Sequence, residues 1–162
     1  MASPCCISSI AAGVTDMSAA AELTRRIREA IPVSATMQFS IDYLQPDEIR
    51  VSAPLQPNIN VHGTGFAGSI YSLAVLTGWA LCTHILDEAA VDADLVVGKA
   101  EISYRAPVQT DLDCHCSATA EQRQSFLQGL RERGRGRLSL EVAVGDLPQA
   151  RLLATFVAIA RA

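Results

Sequence analysis

Charge is scarce in this sequence, and its cysteines fall into no pairing pattern. Charged residues make up 19% of 162 positions, against about 25% in an average globular chain. They comprise 13 basic and 17 acidic side chains, a net charge of −4. A surface of that sign has no general attraction for a nucleic-acid backbone, so no nucleic-acid partner is expected and any phosphate must be held by a local patch. The five cysteines, Cys5, Cys6, Cys82, Cys114 and Cys116, form neither an even set nor a CxxC pair, which argues against a disulfide framework and a structural zinc. No metal site is expected. The N-terminus, MASPCCISSIAAGV, has no basic segment ahead of an apolar run. Residues 51–86 carry no charge, but their most apolar part, 70–86, is broken by Ser72, Thr77, Thr83 and His84 and is shorter than the roughly 20 residues of a spanning helix. A cytoplasmic protein with no membrane association is the expectation.

What is present suits one domain, with 49% apolar residues to build its core. Residues 1–17 are expected to form a disordered extension and residues 18–162 the domain. SAAAELTRRIREAIP places Leu23, Ile27 and Ile31 at four-residue spacing ahead of Pro32, a short amphipathic helix closed by proline. Met37, Phe39 and Ile41 alternate with polar residues, and so do Ile49, Val51 and Ala53 beyond a turn at Gln45, Pro46 and Asp47, which predicts a hairpin. A glycine-rich loop, QPNINVHGTGFAGS, then leads into a long helix over residues 67–88.

That helix is apolar on nearly every side and must be buried on nearly every side. In a domain of this size only a sheet curling around it, helped by a second subunit, can supply the cover. Strands predicted over 95–105, 112–119, 137–144 and 151–159, with a helix over 121–132, complete an α+β domain with an antiparallel sheet of about six strands around a long central helix. In the first of these strands Val96, Ala100, Ile102 and Tyr104 are expected on one face, opposite Lys99, Glu101, Ser103 and Arg105.

The stretch LQPNINVHGTGFAGSIYSLAVLTGWAL, with KAEISYRAPV and RERGRGRLSLEVAV further on, resembles the thioesterase family typified by the C-terminal domain of the YiiD acetyltransferase. The resemblance implies the hotdog fold. It also implies a homodimer with two equivalent clefts at the subunit interface, and a thioester of phosphopantetheine, on coenzyme A or acyl carrier protein, as the ligand. The phosphopantetheine belongs to the substrate, so no separate cofactor is expected. Some members of the family are malonyl-acyl carrier protein decarboxylases that serve fatty-acid synthesis.

Acyl-thioester chemistry builds negative charge on the thioester oxygen and needs donors aimed at it. The amino end of the central helix offers unpaired backbone N–H groups and the positive end of the dipole. Gly65, Ala67, Gly68 and Ser69 lie there and, with Gly63, Thr64 and Phe66, are the expected substrate contacts; the glycines equally serve a turn and close packing. Ser69 reads either as a hydroxyl donor or as a first-turn residue. The family pattern places an asparagine at Asn60, the expected catalytic amide. Asn58 reads as a further substrate contact or a turn former. His62, the titratable side chain of the loop, is the candidate to activate water, whereas His84 and His115 read as structural. Arg135 and Arg137, in the run RERGRGR, suit a phosphate or an acidic carrier protein; the alternative is a solvated hairpin that blunts a sheet edge.

One absence bears on mechanism. Many hotdog thioesterases carry an acid in the first turns of the central helix, yet residues 67–86 contain none. Decarboxylation of a malonyl thioester needs no such base, so it competes with hydrolysis on the same residues, and a non-catalytic acyl-thioester binder is also compatible.

Overall fold

A computed structural model describes residues 17–161. Four helices and six strands follow in the order α1 (Met17–Ala30), α2 (Pro32–Thr36), β1 (Ser40–Gln45), β2 (Glu48–Ala53), α3 (Ala67–Glu88), β3 (Ala93–Tyr104), β4 (Leu112–Ser117), α4 (Ala120–Arg133), β5 (Arg135–Val144) and β6 (Ala150–Ala160). The strands form one antiparallel sheet in the order β1-β2-β4-β5-β6-β3, curled around α3. This is the hotdog fold.

Burial decides each element. Leu73, Leu81 and Ile85 of α3 are fully buried, and so are Ile49, Val51, Leu112, Val142, Leu152 and Phe156 from the strands around it. Gly78 lets the wrap close, because a Cβ there would lie 2.7 Å from the Phe156 ring. By length and composition α3 is long and apolar enough to cross a bilayer, although its most apolar part, 70–86, alone is too short, but 67% of its most apolar window is buried within this fold. Strands β4 and β5 pair at only three positions before they diverge. Helix α4, which connects them, packs against β5, with Phe126 over Gly136, and buries Phe126, Gly129 and Leu130. A capping box at Thr119 and Gln122 starts α4, and Gly134 in the left-handed conformation (φ 67°) ends it.

The first helix closes ahead of Pro32 as expected, α1 ending at Ala30, and the same proline opens the short additional helix α2 at its first turn, where its fixed φ and missing N–H cost nothing. Two local expectations are corrected. Strand β1 begins at Ser40 rather than Met37, because Gln38 takes a positive φ of 60°; Met37 and Phe39 are nevertheless buried. In β3 the register shifts between Val97 and Lys99, and this bulge at Gly98 reverses the alternation. Val96 therefore pairs with Val157 on the outer face, while Ala100, Ile102 and Tyr104 keep the inner one. The extension expected over residues 1–17 lies outside the described residues except for Met17, which is the first residue of α1.

Candidate active site at the amino end of the central helix

Between β2 and α3 the chain makes a short 3-10 turn (Gln56–Asn58) and a tight loop. Asn58 anchors the turn from inside: 1% exposed, it donates through Nδ2 to the carbonyls of Met37 (2.9 Å) and Pro54 (2.8 Å), while its own carbonyl accepts the Phe66 N–H at 2.7 Å. Substrate contact by Asn58 is thus corrected to a buried anchor, with only its Oδ1 left unpaired.

Asn60 closes the loop on itself. Its Oδ1 accepts the N–H groups of His62 (2.8 Å) and Thr64 (3.2 Å), and its Nδ2 donates to Thr64 Oγ1 (2.9 Å) and the Gly65 carbonyl (3.2 Å). Every polar atom of the amide is engaged, so Asn60 acts on the site by shaping the loop. Gly63, at the apex, needs its positive φ of 76°. Gly65 is buried and donates its N–H to the Val108 carbonyl at 2.7 Å; a Cβ there would press on Ile70 and Val108 at 3.2 and 3.3 Å. It too supports the loop from within instead of touching ligand. His62 stands exposed at the loop's tip.

The loop delivers Phe66 as the N-cap of α3, a residue whose side chain can cap nothing. The first-turn N–H groups of Ala67, Gly68 and Ser69 therefore have no side-chain cap, and Ala67 is exposed while Gly68 and Ser69 are partly so. Gly68 lets the Phe66 ring fold back over it, 2.5 Å from where a Cβ would stand, so a larger residue there would push the ring aside. Phe66 (53% exposed), Tyr71 (37%) and Tyr104 (48%) make an aromatic rim around these amides. Tyr104 donates its hydroxyl to the Ala67 carbonyl at 2.8 Å, and desolvation, reinforced by Tyr71, raises its phenol above the usual range. Sequence reasoning did not place Tyr71 or Tyr104 in the site; only the pairing of β3 alongside α3 brings Tyr104 there.

Arg135 and Arg137 are not part of this constellation. They pair with Ile159 and Val157, which in turn pair with Asp94 and Val96 at the start of β3, whereas the α3 amino end adjoins Tyr104 at its finish. The expected phosphate contacts thus sit at the opposite end of the sheet within one subunit. The pronounced concavities also lie elsewhere, along α4, between α1 and β1, and beside the C-terminal half of α3. In a single subunit the α3 amino end is an open shelf, bounded on one side.

A sheet wrapped around a helix whose uncapped amino end emerges at such a shelf defines an α+β protein of the hotdog class. The family model described as "Putative thioesterase (yiiD_Cterm)" matches residues 20–159, and the chain belongs to that family. A structure from Shewanella oneidensis, titled a putative thioesterase, is 34% identical with a TM-score of 0.79, covering 88% of this chain and 98% of that one. A protein of unknown function from Chlorobaculum tepidum is 26% identical with a TM-score of 0.86, covering 93% and 99%. A probable thioesterase from Pseudomonas aeruginosa is 26% identical with a TM-score of 0.75, covering 87% and 96%. In family and fold this protein is thioesterase-like.

Proposed function

We propose that the protein hydrolyses acyl thioesters of phosphopantetheine, on coenzyme A or acyl carrier protein, at the amino end of α3, and that it does so as a homodimer. The observation that carries the reading is the uncapped first turn at Ala67, Gly68 and Ser69, held open by the Asn60 loop. Preorganised backbone N–H groups in a partly desolvated position stabilise the oxyanion of a tetrahedral intermediate without reorganising. Water adds to the carbonyl carbon, the electron pair moves to the oxygen facing those amides, and collapse breaks the C–S bond, with the thiolate taking up a proton. His62 is the group on the loop suited to accept the water's proton.

The dimer follows from what one subunit leaves uncovered. Strand β3 ends the sheet order with its outer edge unpaired in the single chain, and Val97, Tyr104 and Tyr71 remain exposed beside it. A second copy pairing along β3 removes the free edge and walls the open side of the shelf.

A second reading has its own support. Helix α3 has no carboxylate before Asp87, so no acid in its first turns repels a malonyl carboxylate or serves as a general base there. Decarboxylation breaks the bond to the carboxylate carbon, releases carbon dioxide, and leaves the electron pair as a thioester enolate whose oxygen faces the same amides; a proton from water completes the acyl product. Incubation with butyryl and malonyl thioesters of coenzyme A, followed by thiol titration and mass analysis, tests both. Free thiol with carboxylic acid supports hydrolysis, and acetyl thioester from the malonyl substrate supports decarboxylation. Intact substrates throughout would overturn the catalytic reading.

A further inference from the structure

Five of the chain's arginines, at positions 123, 131, 133, 135 and 137, fall within fifteen residues that contain a single acid, Glu132, while the other eight basic residues face sixteen acidic ones. The three-dimensional arrangement sharpens the contrast. Of the eight basic residues outside that stretch, Arg25, Arg26, Arg50, Lys99, Arg151 and Arg161 have a carboxylate partner and Arg28 and Arg105 have none among the described residues; within it, Arg133 has Glu132. Among the described residues Arg123, Arg131, Arg135 and Arg137 have no salt-bridge partner, and Arg123 keeps a buried Nε with no acceptor. Glu132 is already occupied by Gln128 Nε2 at 2.8 Å and by Arg133.

These side chains are also laid out in order. Arg123, Leu127 and Arg131 recur every fourth residue, one above another on α4. With Ala120, Gln124, Gln128 and the already paired Glu132 they line a concavity of about 550 Å³ in which Leu127 is half-buried. Arg135 and Arg137 add two more exposed charges where α4 runs into β5, on the outer face of the sheet and outside the concavity itself. An apolar side chain set between unneutralised arginines matches an acidic helix that carries its own apolar spot: guanidinium forks take carboxylates in pairs, and Leu127 takes the apolar contact. From Arg123 to Arg131 the stripe runs about 12 Å at 1.5 Å per residue, a span suited to a protein helix more than to one compact anion. The strong acidity of the remaining chain opposes a nucleic-acid backbone.

We propose that this face of α4, with Arg135 and Arg137, docks an acidic carrier protein that presents the thioester. The proposal rests on the thioester reading above and selects the carrier form of the substrate over free coenzyme A. Geometry permits delivery between subunits. When two copies pair antiparallel along β3, the start of one copy's β3 lies beside the finish of the other's. The β5 start of one copy then stands about three strand spacings of 4.8 Å from the strand that adjoins the other copy's α3 amino end, a gap that a flexible pantetheine arm can cross.

The test compares one acyl group on acyl carrier protein, coenzyme A and pantetheine, for the wild type and the double variant Gln124→Glu/Arg131→Glu, both substitutions being on exposed α4 positions. Circular dichroism confirms that the variant folds. The expected result is a fall of tenfold or more in kcat/KM for the carrier thioester, expressed in KM, with the pantetheine and coenzyme A thioesters within twofold of wild type. Raised salt should weaken the wild type toward the variant on the carrier substrate alone. An equal effect on all three substrates, no effect on any, or loss confined to coenzyme A would overturn the proposal. Fluorescence anisotropy with unacylated carrier protein reads docking independently of turnover, so failure of catalysis and failure of docking are separable. Equal binding of carrier by wild type and variant, or arginine-dependent binding of duplex DNA in its place, would also overturn it.

Discussion

Tyr104, the last residue of β3, donates its hydroxyl to the carbonyl of Ala67, the first residue of α3, at 2.8 Å. The bond fixes the helix's amino end against the edge strand of the sheet, the strand along which a second copy is proposed to pair. Position of the first-turn amides and position of the subunit edge are thereby coupled through one phenol.

Tyr104→Phe should cost about 1 kcal/mol of stability, the net worth of an ordinary hydrogen bond, and lower kcat for a thioester substrate several-fold more than it changes KM. Thermal unfolding and steady-state kinetics on the same preparation check this. A variant whose kcat equals that of the wild type would detach Tyr104 from the site.

Asn60→Ala removes four hydrogen bonds at once and leaves the N–H groups of His62 and Thr64 without their acceptor. The loop then loses the closure that presents Phe66 and the first turn of α3. Misplacement by about an ångström at a catalytic centre costs on the order of a hundredfold in rate, and that is the expected fall in turnover, with the fold retained by circular dichroism. Asn60→Asp keeps both acceptor interactions and should retain more activity than the alanine variant; an equal loss in both would mean that the Nδ2 donor, which both variants lack, matters more than the two bonds to Oδ1.

Much of this architecture was legible in the sequence because it rests on local composition. The limits of α3 follow from an uncharged apolar run bounded by a glycine loop and by Asp87 and Glu88, and they agree with the observed Ala67–Glu88. The loop residues Asn60, Thr64 and Phe66 are adjacent in the chain and remain adjacent in space. What was not legible depends on pairing across the sheet. The bulge at Gly98 turns Val96 outward; the alternation read straight through it misplaces Val96, although a lone glycine inside a strand run is the local signal of such a bulge. The distance of Arg135 and Arg137 from the α3 amino end is set by the register of β5 on β6 and β6 on β3. Asn58 stands two residues from Asn60 and has the same side chain, yet one is buried under the turn and the other shapes the loop; only the burial of the 3-10 turn separates them.

A positive charge at Val97 should prevent the proposed subunit pairing. Val97 lies on the unpaired edge strand, on the inner face opposite Phe156, and is 40% exposed. Val97→Arg would place a guanidinium in the apolar seam between copies, where burial without a partner is strongly unfavourable. Light scattering coupled to size-exclusion chromatography should show wild-type dimer and variant monomer, with thioester turnover lost in the monomer because the shelf regains its open side. A wild type that runs as a monomer and is fully active would remove the second subunit from the site.

The buried thiols make stability sensitive to alkali. Cys114 and Cys116 are pushed up to about 12 by desolvation, and Cys82 is raised well above its ordinary value by the same cause. An unfolded chain releases these protons near the ordinary thiol value of about 8.5, whereas the folded chain holds them. Their contribution is therefore fully present below that value and is lost progressively as pH rises toward 12. Unfolding midpoints in urea should be flat in this respect below pH 8 and decline from pH 9 upward, and replacing Cys116 with alanine should shallow the decline at some cost in packing. Alkylation at pH 8 followed by peptide mass analysis gives the companion measurement: Cys82, Cys114 and Cys116 should stay unmodified in the folded protein and react once denaturant is added. Rapid labelling of any of the three without denaturant would show that the sheet opens around α3 far more readily than its burial implies.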